Sequence, residues 1–324
     1  LHLISEPFAA IADMLGLQTE SVMSAARRMR DSGLIRRFGA FWDFRIFGLE
    51  GYLFGVREPK EALDGTVKWI NSFGFVTHNY LRRHELNVWF TAILPGDTDA
   101  AEFADKLSAR GLAYVALGAE RRIKLETAFA GDDKKCHDPV APPVAHNLLK
   151  TGSRGPSHIA MKEREHHDSN SLQKKIIALL RDELEIAPRP FTRMANILKI
   201  DEDALLAELV NLKSSGVLRR IGASIDHQRA GFSANSLMAW DFTGSERDTY
   251  EVVCDFPWVS HCYLRRIVAQ NLRTPWAYNL FAMIHARDPE ELDRRERILT
   301  GAFAPRKFVS MRTEGEYKKI HFSF

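Results

Sequence analysis

Cysteine is scarce in this chain: Cys136, Cys254 and Cys262 are the whole supply in 324 residues. That excludes a disulfide framework and a paired-cysteine zinc site, and it suits a reducing cytoplasm. No run of about 18 apolar residues occurs, so no membrane span is expected. No signal-peptide pattern opens the chain. Neither sign of charge dominates, with 45 basic and 42 acidic residues and a net charge of +3. That balance is too even to predict nucleic-acid binding. Lysine is under-used, at 15 against 30 arginines. Codon preference is one reading; a site that grips several carboxylates is the other, because the guanidinium fork binds carboxylate bidentately and an ammonium does not. Hydrophobic residues at 45% and charged residues at 27% are ordinary for a globular protein.

What the chain does have is a repeat. His78-Asn79-Tyr80-Leu81-Arg82-Arg83 returns 183 residues later as His261-Cys262-Tyr263-Leu264-Arg265-Arg266. The same offset pairs Pro7-Phe8 with Pro190-Phe191, and Arg36-Arg37-Phe38-Gly39-Ala40 with Arg219-Arg220-Ile221-Gly222-Ala223. An offset that holds without a gap from Pro7 to Arg83 is a duplication, and a long-period repeat fixes the architecture. Two copies of one module follow, joined by residues 130–171, whose Pro142-Pro143 and Gly152-Ser153-Arg154-Gly155-Pro156-Ser157 read as linker.

Each copy starts with helices. In the second, apolar residues from Leu172 to Leu184 fall on one helical face, Pro190 opens another helix, and Glu202 to Lys213 forms a third, stopped by Ser214-Ser215-Gly216. With a β-hairpin from Val217 to Asp226 this reads as a winged helix-turn-helix. The first copy repeats the pattern from Pro7 to Asp43, but only six residues precede Pro7; its first helix is missing, and the chain reads as a shortened form of a longer one. Strands and helices then alternate: strand 51–58, helix 60–72, strand 75–82, strand 87–94, helix 100–110 and strand 114–117, the ferredoxin-like β-α-β-β-α-β order. The second copy follows with about nine extra residues, Ile267 to Pro275, between its middle strands. The expected fold class is α+β. Its parts are a helix-turn-helix domain at 1–50, a ferredoxin-like domain at 51–129, the linker, then the same pair at 172–231 and 232–324. The two modules are expected to pair as an intramolecular pseudo-dimer, with further oligomers left open.

Alternate side chains of a strand share a face. His78, Tyr80 and Arg82 therefore point one way, and His261, Tyr263 and Arg265 form the matching trio. Such a face suits a site, or a histidine bonded to tyrosine at a sheet rim. Arg36 and Arg37, with Arg219 and Arg220, lead into the expected wing and are candidates for gripping an anion, as is Arg266 beside the second trio. The copies also differ. Asp226-His227 replaces Asp43-Phe44, and His285 aligns, after the insertion, near Ile93. The second copy thus carries more histidine and is the expected active one. His137, His146, His158, His166 and His167 of the linker lack the spacing of a structural zinc site, and no metal site is expected.

In a regulator built on this plan, the third helix would read bases through its N-terminal residues. In the second copy these are Asp201-Glu202-Asp203-Ala204-Leu205-Leu206-Ala207-Glu208. Four acids there repel phosphate, the main source of DNA affinity. No specific DNA binding is expected.

The Arg-Arg-x-Gly-Ala and His-x-Tyr-Leu-Arg-Arg blocks, with Trp276-Ala277-Tyr278-Asn279-Leu280-Phe281-Ala282-Met283-Ile284-His285, resemble those of siroheme decarboxylases. The order resembles the fused two-module form tied to heme d1 formation in denitrifying bacteria. The resemblance covers nearly all of the chain except the linker. It implies a helix-turn-helix plus ferredoxin-like fold without a regulatory role, and removal of carbon dioxide from two acetate side chains of siroheme to give didecarboxysiroheme. Its implied site draws its acid–base groups from His261, Tyr263, His285 and His78. Carboxylate holders would come from Arg219, Arg220, Arg265, Arg266, His227, Arg36, Arg37, Tyr80 and Arg82. His261 is the expected proton donor; axial ligation of the substrate iron by His261, His285 or His227, or a structural role, stands beside that reading. No cofactor beyond the iron tetrapyrrole substrate is implied. A ligand-responsive transcription regulator and a non-catalytic heme sensor or carrier are the alternatives.

Overall fold

The computed structural model describes residues 1–125, 171–242, 252–253, 256–304 and 306–320. The expected linker 130–171 lies outside these, apart from Ser171, as do Cys136, Cys254 and the five linker histidines. The chain divides into two compact units, one holding 1–48 and 171–231, the other beginning at Leu49 and Phe232. Among the described residues no helix is long and apolar enough to cross a membrane.

The helical unit contains α1 (Pro7–Leu15), α2 (Thr19–Asp31), β1 (Ile35–Trp42), α5 (Ser171–Leu179), α6 (Thr192–Leu198), α7 (Glu202–Ser214) and β6 (Leu218–Ile225). Both copies contribute to one core: Phe8, Met23 and Trp42 from the first, Ile176, Phe191, Leu205, Leu209 and Ile221 from the second. The expected wing hairpin is not formed. Each copy gives a single strand, and β1 pairs antiparallel with β6, with Gly39 opposite Gly222 and Ala40 opposite Ile221. The chain turns away after Asp226, so each strand satisfies its backbone groups on its own counterpart. Glycine suits that centre. A Cβ on Gly39 would lie 3.0 Å from the Arg37 guanidinium, and one on Gly222 2.9 Å from that of Arg220.

The second unit is an eight-stranded closed barrel. The first copy supplies β2 (Glu50–Arg57), α3 (Leu63–Ser72), β3 (Val76–Arg82), β4 (Val88–Leu94), α4 (Asp97–Ala109) and β5 (Ala113–Leu125). The second supplies β7 (Ala234–Trp240), β8 (Val259–Gln270), β9 (Leu280–Ala286), α8 (Pro289–Ala302) and β10 (Phe308–Lys319). In each copy the sheet order is last, first, third, second strand, the ferredoxin-like arrangement. The copies join edge to edge: β5 pairs with β8 and β10 with β3, both antiparallel, so no edge is left open. The fourth strand expected at 114–117 runs on to Leu125 because its far half is this seam.

Helices cover the outer faces. Leu292 and Leu299 of α8, with Phe303 at its end, pack on Cys262, Leu264, Ala282 and Ile284, and Phe103 and Leu107 of α4 pack on Phe54, Phe90 and Val76. The inner face has its own core, with Leu53, Trp89, Val115 and Leu117 from the first copy and Leu237, Ala239, Phe281 and Met311 from the second. Trp276, just after the insertion, joins it, 5.4 Å from Trp89. Gly55 makes room there, since a Cβ would sit 2.7 Å from the Trp89 ring.

Candidate active site

The two trios face the barrel interior, on strands at opposite sides of the sheet order. Alternation sets this: Cys262 and Leu264 belong to the core under α8, and Asn79 turns outward to Asn71, 2.9 Å away. His78, Tyr80 and Arg82 line one side, His261, Tyr263 and Arg265 the other.

Arg82 is 4% exposed. It donates to the Met311 carbonyl at 3.1 Å and the Thr313 hydroxyl at 2.9 Å, and its guanidinium lies 5.1 Å from the Tyr80 ring. Arg265 repeats the pose, 4.9 Å from Tyr263 and 5.9 Å from Phe281. Neither has a carboxylate at ion-pair distance among the described residues, and the Nε of each is buried without an acceptor. Burial pushes both down to about 10, which leaves them cationic at neutral pH. A buried cation without an anion is costly unless a ligand brings one.

A row of polar side chains runs from Arg82 across the second copy's inner face. Thr313 donates to Asn235 at 2.5 Å, and Asn235 stands opposite His285 in the ladder. His285 Nε2 lies 2.9 Å from the Ser260 hydroxyl, and that hydroxyl lies 2.8 Å from His261 Nδ1. One hydroxyl can donate to one ring and accept from the other, so the two histidines are linked through it. The same positions in the first copy are apolar. Ala119 faces Arg265 where Thr313 faces Arg82, and Gly51 faces Ile93 where Asn235 faces His285. There Thr77, 2.9 Å from His78 Nδ1, bonds the Thr91 carbonyl instead of a second histidine. The alignment of His285 with Ile93 therefore holds in the ladder.

The remaining candidates fall elsewhere. Arg266 points to the other face and is engaged by Asp97 at 2.6 and 2.8 Å, because neighbours on a strand alternate. Arg36, Arg37, Arg219, Arg220 and His227 belong to the helical unit. Arg36 is 2.8 Å from Asp226 and Arg219 is 3.5 Å from Asp43, each reaching the other copy's aspartate. Arg37 donates to the Leu180 and Arg181 carbonyls after α5, and Arg220 stacks on Phe41 at 3.8 Å. These guanidinia have structural partners, which the sequence pattern did not reveal. Reading the sequence also missed Ser260, Asn235 and Thr313. A hydroxyl residue before each trio histidine, Thr77 and Ser260, was the visible signal; Thr313 lies beyond the ungapped repeat, and Asn235, inside it, has no counterpart of its own kind.

Comparison with known proteins agrees with this architecture. A model for the AsnC-like ligand binding domain matches residues 47–124 and 229–318. One for the siroheme decarboxylase NirDL-like HTH domain matches 1–36 and 173–219. The siroheme decarboxylase beta subunit of Methanosarcina barkeri is 33% identical over 147 residues, 45% of this chain and 93% of that protein. The chain belongs to the siroheme decarboxylase family. Its likeness to other members extends over the whole fused length. The siroheme decarboxylase of Hydrogenobacter thermophilus is 26% identical, covering 100% of this chain and 91% of that one. For the siroheme decarboxylase NirDL subunit of Paracoccus denitrificans the figures are 27%, 90% and 82%. A crystal structure of the siroheme decarboxylase NirDL shares the fold, with a TM-score of 0.67 at 22% identity over 100% of this chain and 90% of that one. A further structure of NirDL is a co-complex with an iron-uroporphyrin III analogue, with a TM-score of 0.65.

Proposed function

We propose that the protein removes carbon dioxide from two acetate side chains of siroheme, giving didecarboxysiroheme, on the inner face of the second copy's sheet. The observation that carries this is Arg82, a buried cation with no carboxylate at ion-pair distance among the described residues, at one end of a polar row that ends in two hydroxyl-linked histidines. Arg82 and Arg265 hold substrate carboxylates, since a guanidinium pairs with carboxylate through two parallel bonds. The C–C bond to the departing carbon dioxide breaks. Its electron pair stays on the methylene carbon and spreads into the macrocycle, and a proton from His261 completes a methyl group. His285 resupplies His261 through Ser260, and Tyr263 orients the ring. The macrocycle is the electron sink, so no further cofactor is invoked. The cytoplasm is the compartment that cysteine usage favours.

The test is anoxic incubation with siroheme, followed by mass measurement of the extracted tetrapyrrole. Loss of one and then two carbon dioxide masses is expected; an unchanged tetrapyrrole recovered from a protein that binds it would make this a carrier.

A further inference from the structure

Under its sheet the second copy carries a buried ion pair where the first copy carries an aromatic ring. Ten residues separate His285 from Arg295, and the same ten separate Ile93 from Phe103. The equivalence holds in space as well. Trp258 is the counterpart of Phe75 in the ungapped repeat. The main-chain N–H of Ile93 donates to the Phe75 carbonyl at 2.9 Å, and that of His285 to the Trp258 carbonyl at 3.1 Å. The ring of Phe103 stands edge-on to Phe75 at 5.1 Å, and the Arg295 guanidinium lies 5.4 Å from the Trp258 ring. One place in the fold is thus filled by phenylalanine in one copy and by arginine in the other.

Arg295 is 6% exposed and Glu291 9%. Glu291, one turn earlier on α8, accepts from Arg295 Nη2 at 2.7 Å, and its other carboxylate oxygen accepts from the Arg287 amide at 2.6 Å. Arg295 Nη1 donates to the His285 carbonyl at 2.5 Å. The guanidinium fork therefore spans from the first turn of α8 to the main chain of His285. Both main-chain groups of His285 are engaged, the N–H by Trp258 and the carbonyl by Arg295, beneath the ring that reaches Ser260. Stability does not call for this arrangement. Replacing a buried ion pair by packed apolar side chains is often neutral or stabilising, and Phe103, 2% exposed, closes the same place that way. The charged solution occurs in the copy whose strand carries histidine in place of Ile93.

We propose that Arg295, anchored by Glu291, is a positioning residue of the second copy's site: it fixes the main chain of His285 and so holds the imidazole 2.9 Å from the Ser260 hydroxyl. This rests on the proton path through Ser260 given above. Arg295 reaches His285 from the helix layer and holds no substrate carboxylate, so its loss should be felt in turnover and not in binding. The full chain is assayed for siroheme turnover under anoxic conditions and titrated by absorbance with the iron-uroporphyrin III analogue. Arg295→Met is expected to lower kcat about tenfold, since a displacement of about 1 Å in a reacting array can cost about 100-fold. Its Kd for the analogue and its KM should change less than about threefold. In a His285→Ala background the same substitution should change kcat less than about twofold, because a residue that acts through His285 then has nothing to position. Arg295→Lys keeps a cation for Glu291 but loses the fork that spans both partners, and should show the same split at no less than about threefold in kcat. It carries the test if the methionine variant does not fold. An unchanged kcat in either variant, a loss of binding that matches the loss of kcat, or the same loss repeated in the His285→Ala background overturns the proposal. If His285→Ala itself keeps full turnover, the proton path is removed and the proposal with it, while decarboxylation stands. Wild-type protein that binds the analogue and leaves siroheme unchanged removes the decarboxylase reading, and the proposal falls with it.

Discussion

Replacing Arg82 by methionine separates substrate holding from fold stability. Burial lowers this guanidinium from the ordinary arginine range to about 10. At about 1.36 kcal/mol per pH unit that is a cost of about 3 kcal/mol for keeping it charged inside the protein at neutral pH. The sign follows from the direction. The folded state gives up the proton before the unfolded one, so the cost is full below about pH 10 and fades as pH rises toward the ordinary arginine range. Methionine removes the charge and keeps the length. It also removes the bonds to the Met311 carbonyl and the Thr313 hydroxyl, each worth about 1.5 kcal/mol because the donor is charged. The two contributions offset, and the net expectation is a ligand-free protein of nearly unchanged stability, within about 1 kcal/mol, read by urea unfolding. Affinity for the iron-uroporphyrin III analogue should fall at least about tenfold, as a carboxylate loses its charged partner. A variant that loses more than about 2 kcal/mol and still binds normally would make Arg82 a structural anchor and refute the reasoning.

Three further expectations concern the same architecture. His261→Ala should bind siroheme nearly as well as the parent but lose turnover by about 100-fold or more, the range for a removed general acid, whereas His78→Ala should matter less; single-turnover kinetics on both decide it, and a dead His78 variant beside an active His261 variant would move the chemistry to the first copy. Arg265→Ala should raise KM more than it lowers kcat, read from the same assays. DNA should bind only weakly, without sequence preference and with strong salt dependence, because α7 opens with Glu202 and Asp203; nanomolar affinity for one operator at physiological salt, measured by anisotropy, would contradict this.

The repeat made the fold readable because a gapless offset carries register as well as composition. His261 could be placed on a strand face with Tyr263 and Arg265 from spacing alone, and the barrel has them there. What spacing does not hold is the partner strand. Arg36 and Arg219 looked like ligand holders until the β1–β6 pairing brought each to the other copy's aspartate. Arg266 looked like a neighbour of Arg265, yet the pleat sends it to Asp97. Ser260 was readable beside its histidine. Asn235 and Thr313 were not, because they join the row only through the β7–β9 and β10–β3 ladders, which are contacts across long stretches of chain.

The fused chain also explains how the two sides could diverge. In a symmetric dimer of identical modules, any residue that improves one site appears in both, since an isologous interface repeats every contact. Joining the copies in one polypeptide removes that constraint. Thr313 and Asn235 on one side answer to Ala119 and Gly51 on the other, and His285 answers to Ile93. Each replacement alone is a small change on a strand whose pairing is kept. Together they collect polar groups on the face that carries His261 and leave the His78 face apolar along its row. A buried arginine was retained in each half, Arg82 and Arg265, and each stands on its own copy's edge strand, opposite Thr313 or Ala119 of the other copy across a seam. Arg82 of the first copy therefore serves the second copy's face. A severed second module would lack Arg82, so on the proposed reading its site is complete only with the two halves together.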